Sequence, residues 1–153
     1  VKPNLERIPG NRDRVAQAIL ARAPQCIDQG FLDSLDPSAS LALGRYGVRL
    51  ATLALRETSI ELLRRSLLAT ALAWCLQPDD ERDVTVALAL PWIVAQRLGA
   101  SPATVFGTVA AGLPDGPIST LMKDFGARKD ITLAAFGWDL LATTDGPDFR
   151  PLL

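Results

Sequence analysis

The chain has 153 residues, 16 basic and 17 acidic side chains for a net charge of −1, and no histidine. The missing imidazole excludes Ser-His-Asp triads, Cys-His pairs and histidine-based metal sites, since histidine is the side chain whose unperturbed pKa lies nearest neutrality and the commonest base and ligand. With 48% hydrophobic and 22% charged residues the composition is that of a folding globular chain, and the near-zero charge supplies no whole-molecule field toward nucleic acid or an anionic bilayer.

The lead to Gly10 is irregular. Asn11 then reads as an N-cap for a short helix with Val15, Ala18 and Ile19 on one face, ended by Pro24. A second short helix is expected around Ile27–Leu35, where Ile27, Phe31, Leu32 and Leu35 recur at helical spacing. Asp36-Pro37 starts the most amphipathic segment, to about Glu57, because a carboxylate caps orphan amides and proline at the first helical position wastes no N–H. On one side of it step Leu43, Tyr46, Leu50 and Leu53. On the other, Arg45, Arg49, Thr52 and Arg56 form a basic stripe.

Thr58-Ser59 restarts the chain into a helix to about Gln77 whose apolar residues wrap most of its circumference, which predicts burial on several sides. Beyond Pro78, the acidic residues Asp79 and Asp80 cap a third helix to Leu98, with a kink expected at Pro91 and Gly99 as the C′ residue. Ser101-Pro102 opens a shorter helix through Val105, Phe106 and Val109 to Gly112. Gly116-Pro117 opens another, with Ile118, Leu121, Met122 and Phe125 in one stripe. From Ile131 the texture changes: a last helical turn at Thr132–Phe136, then Trp138, Leu140 and Ala142 in alternation and the turn Thr144-Asp145-Gly146-Pro147, which together suggest a small hairpin or extended arm. The fold class is therefore all-α, a compact multi-helix bundle in one domain over 1–153 with a small extended or hairpin C-terminal segment. A short HEAT-like stack is the alternative, because the three central helices recur about every 21 residues.

Two cysteines, Cys26 and Cys75, read as reduced structural thiols, Cys75 as a small core residue. Val1 to Gly10 has no apolar h-region, and the apolar runs Ser66–Pro78 and Val84–Gln96 are shorter than a spanning helix needs, so no membrane association and a cytoplasmic location are expected. Thirteen Arg against three Lys, with abundant Ala and Leu, has the character of a GC-rich bacterial coding sequence.

Reactive constellations are scarce. Asp79-Asp80-Glu81-Arg82-Asp83 places four carboxylates in five residues, but successive helical residues point apart and the spacing of a calcium loop is absent. Capping and the helix dipole explain the cluster, with Arg82 and Asp83 available for a structural ion pair to a neighbouring helix, Arg64 or Arg65 being the candidate partners for the carboxylate. No catalytic, cofactor-binding or metal-ligating residues are assigned, and no cofactor is expected. The candidate partner-binding residues are Arg45, Arg49, Arg56, Arg64 and Arg65, whose guanidinium forks match carboxylate or phosphate. The plainer reading of them is a solvated face balanced by Glu57 and Glu61. Aromatic interleaving of the kind single-strand binders use is missing, so nucleic acid is not the expected partner.

Arg82-Asp83 opening an Ala/Leu-rich helix, Leu98-Gly99 before Ser101-Pro102, Leu121 with Phe125, and Gly137-Trp138 ahead of Asp145-Gly146 give the stretch from Arg56 to Phe149 a pattern. It resembles a functionally unassigned group of small bacterial helical proteins; the resemblance implies a helical fold, and the group supplies no catalytic residue. Pro91 departs from it, standing where an ordinary helix former is expected. The functional expectation is a protein-interaction module, an adaptor or immunity-type inhibitor, acting on another protein or by self-association. The alternative is a small-ligand binder or enzyme using carboxylates and arginine.

Overall fold

A computed structural model describes residues 12–77, 81–129 and 131, with the backbone alone at 12, 13 and 81–87. The lead to Gly10, the Asn11 cap, Pro78–Asp80 and the expected C-terminal turn and hairpin lie outside the described residues.

The elements are α1 (Arg12–Arg22), α2 (Gln29–Asp33), a 3-10 turn (Pro37–Ala39), α3 (Ser40–Glu57), α4 (Ile60–Leu76), α5 (Glu81–Arg97), α6 (Pro102–Ala111) and α7 (Pro117–Gly126). Each start has a local cause. Asp28 accepts the Phe31 N–H at 2.8 Å, Ser59 that of Leu62 at 3.2 Å and Ser101 that of Thr104 at 3.3 Å, satisfying amides that have no partner inside their own helix. Asp36 accepts the Ser38 N–H at 2.9 Å, and these hydrogen bonds from Ser38 hold its carboxyl below the ordinary value. The turn they close is 3-10, and α3 begins three residues after Pro37, later than the sequence suggests.

Stops are equally local. Thr58, in the left-handed region at φ 53°, turns the chain between α3 and α4. Gly99, at φ +76°, closes α5 with Ala100 N–H donating to Ala95 O at 2.9 Å, the glycine-terminated geometry expected there. Pro91 lies inside α5 without ending it.

Helix α4 is the hub: it packs against α1, α2, α3, α5, α6 and α7. In a solenoid a helix meets only its neighbours in the stack; here one helix is enclosed by all the others described, which makes this an all-α bundle. Ten of its residues are buried, Leu63, Leu67 and Leu72 among them.

The tightest packing is between α3 and α4. Gly47 lies against Ser66 and Thr70, so close that a Cβ there would fall 2.6 Å from Thr70 Oγ1 and 3.1 Å from Ser66 O. Ser66 Oγ donates to Gly47 O at 2.6 Å, Thr70 Oγ1 to Ser66 O at 3.0 Å, and Ser40 Oγ to Ala73 O at 2.8 Å. Small residues let the backbones approach, and the buried hydroxyls spend their hydrogen bonds where they stand. A second pair, α6 and α7, closes over Phe106 and Phe125, stacked at 6.0 Å, with Gly126 against Phe106 and Arg128 4.9 Å above the Phe125 ring.

One face assignment differs from the sequence reading. In α1 the buried residues are Ala16, Ile19 and Leu20, whereas Val15 is 48% exposed and Ala18 is on the surface. The helix is rotated by about one residue, because Leu20 fills the core better than Ala18. Trp92 is buried, and its Nε1 finds no acceptor among the described residues.

Candidate functional site

Five arginines were candidates, and the fold separates them. Arg49 is only 7% exposed and is engaged within the fold, Arg45 is half-buried, and Arg56 stands exposed in the last turn of α3. The basic stripe on α3 is thus not a uniformly solvated face: Arg49 is buried and Arg56 exposed. Packing of α3 against α1, α4 and α5 covers Val48, Arg49 and Ala51 as well as the apolar side. Periodicity reported which side of α3 is more apolar. It does not report how many neighbours a helix acquires.

Arg64 and Arg65 are placed differently. Both line an open groove of about 180 Å³ bounded by Glu61, Arg64, Arg65 and Leu68 of α4, Thr108, Val109 and Gly112 at the α6 side, and Pro24, Gln25 and Ile27 of the connection between α1 and α2. Glu61, Arg65 and Leu68 step by four and three residues, so they share one flank of α4. Ser66, Thr70 and Ala73 step likewise on the opposite flank, at the α3 seam. Charge and close packing therefore occupy opposite sides of one helix.

The groove's far wall is fixed by the backbone. Ile27 N–H donates to Gly112 O at 2.6 Å, and a Cβ on Gly112 would lie 3.0 Å from Gln25 O, so the connection rests directly on the end of α6. Ile27 is buried beneath, while Leu68 and Val109 are half-buried. Arg64 is exposed and Arg65 half-buried, and among the described residues neither makes an ion pair or a side-chain hydrogen bond, not even with Glu61 three and four positions away. Two donors, each with a fork of N–H groups, thus line the groove without a bonded acceptor among the described residues.

The groove holds one carboxylate and no nucleophile with an adjacent base. Among the described residues no three Cys, Asp or Glu side chains converge as a metal site would require. The acidic cluster Asp79–Asp83, and with it the ion pair from Arg82 or Asp83, falls outside the described side chains. Both cysteines are free. Cys75 is half-buried, its thiol pushed up by desolvation, but Cys26 is exposed beside Gln25 and Ile27 and is no core residue. Among the described residues no helix is long and apolar enough to cross a membrane.

The sequence signal for this groove was present in part: Glu61, Arg64 and Arg65 are the only charges of an otherwise apolar α4. Its other two walls come from segments 34 or more residues away in the chain, and no spacing rule reaches across that distance. Comparison with protein-family models, curated proteins and solved structures finds no match for this chain.

Proposed function

We propose that this protein is a protein-interaction module, an adaptor or an inhibitor of its partner, and that it docks that partner over the groove between α4 and α6. The observation that carries the reading is the pair Arg64 and Arg65, unpaired among the described residues and lining one groove with Ile27, Leu68 and Val109. A guanidinium fork gains most where a partner supplies a carboxylate in a partly desolvated setting, and arginine is enriched among the residues that dominate protein interfaces. A groove of about 180 Å³ is smaller than the roughly 300–1,000 Å³ of pockets that engulf a small molecule, which favours a partner's surface over a metabolite.

Affinity capture from source cells with the wild-type chain and with the double variant Arg64→Glu, Arg65→Glu tests this reading. Expected is a reproducible partner captured by the wild type and lost with the variant, whose circular dichroism remains helical. An identical set of captured proteins for both chains contradicts it.

A further inference from the structure

We infer that the segment of the partner seated in this groove is acidic and aliphatic: an Asp or Glu carboxylate held by Arg64 and Arg65, next to a Leu, Ile or Val side chain placed over Leu68, Ile27 and Val109. The inference rests on the docking reading and adds the chemistry of the occupant. Three features select it. Charge complementarity is the first, since the two guanidinium groups have no acceptor among the described residues and a carboxylate matches the fork geometry. The second is the aliphatic part of the groove's lining, three residues, with no aromatic ring in the rest. Bases of single-stranded nucleic acid bind by stacking on aromatic faces, and none is offered. Third, Glu61 on the same flank opposes a run of negative charges, so an isolated carboxylate is accepted more readily than a phosphate ladder.

Glu61 makes the idea sharp, because removing it should improve binding, an outcome that a damaged fold does not produce. The test is an NMR titration of the methyl groups of Ile27, Leu68 and Val109 with a short capped peptide of alternating Glu and Leu. Parallel arms use a Lys/Leu peptide, a Glu/Ser peptide, a neutral Ser/Leu peptide and oligothymidylate. Expected are saturable shifts at those three residues with the Glu/Leu peptide alone, weakening as salt is raised. Arg65→Gln should lower the affinity about tenfold, the loss expected for a hydrogen-bonded charge partner. Glu61→Gln should tighten it about twofold, as befits an exposed like charge.

No groove shifts at millimolar Glu/Leu peptide, or equal shifts with the Lys/Leu peptide, overturn the inference. Stronger binding of oligothymidylate overturns it in favour of nucleic acid. If affinity capture still finds a partner sensitive to the Arg64 and Arg65 reversal while the peptide fails, docking stands and the acidic-aliphatic occupant is wrong. If capture finds none while the peptide binds as described, the site chemistry stands and the cellular docking reading falls.

Discussion

Helix α4 has two faces that were made in opposite ways. Toward α3 it presents Ser66, Thr70 and Ala73, small residues that meet Gly44 at ordinary contact and Gly47 until backbone nearly touches backbone, and the hydroxyls there are satisfied within the seam. Toward α6 it presents Glu61, Arg64, Arg65 and Leu68, which line an open groove. One helix thus binds its own fold through smallness on one side and offers reach on the other. Substitutions on the two faces should accordingly differ in kind: the seam face changes stability, the groove face changes binding.

The largest effect is expected at Gly47. Gly47→Val should destabilise the fold by about 3 kcal/mol, because extra atoms in a close-packed contact force the backbones apart. Chemical denaturation would measure it, and a loss below about 1 kcal/mol would mean that the seam is looser than described. Next comes Ser66→Ala, which removes the donor to Gly47 O inside the seam and should cost about 1–2 kcal/mol. Gly44 supplies the contrast: a Cβ there would meet Ala73 Cβ at 3.9 Å, an ordinary contact. Gly44→Ala should therefore stabilise by about 0.5–1 kcal/mol through helix propensity. If Gly44 and Gly47 respond alike, close approach is not what distinguishes them.

On the groove face, Arg64→Glu and Arg65→Glu should each leave stability within about 0.5 kcal/mol, as surface substitutions do, while affecting partner capture. A loss of several kcal/mol by thermal melting would make these arginines structural. The smallest effect is chemical. Cys26 is exposed on the connection that walls the groove, whereas Cys75 is half-buried with a raised pKa, so a thiol reagent at mildly alkaline pH should modify Cys26 first. The raised pKa means that Cys75 favours the fold while protonated. That contribution is present below the unfolded-state value and is lost as pH rises through the folded one. Equal labelling rates in the native state would contradict the burial of Cys75.

Much of this fold could be read from residues near in sequence. Asp36-Pro37, Ser59, Gly99 and Ser101-Pro102 mark helix ends because capping depends on atoms within a few residues, and the apolar wrap of Ile60–Leu76 announced a central helix. What escaped depends on neighbours distant in the chain. Arg49 reads as a solvent-facing stripe residue until α1, α4 and α5 close around α3, and Gly47 reads as a helix weakness until Thr70 is placed against it. The candidate site was legible to the extent of two residues: Arg64 and Arg65 stood out as charges on an apolar helix, while the groove they line needed the 24–27 connection to settle on Gly112.

The most direct test of the central claim is photo-crosslinking in source cells from a reactive amino acid placed at Thr108, exposed on the groove wall, against the same group at Thr120, exposed on α7 away from it. A discrete adduct from Thr108 that is absent from Thr120, and that disappears when Arg64 and Arg65 are reversed, is the result this account predicts. Adducts of equal yield from both positions, or from Thr120 alone, would contradict it.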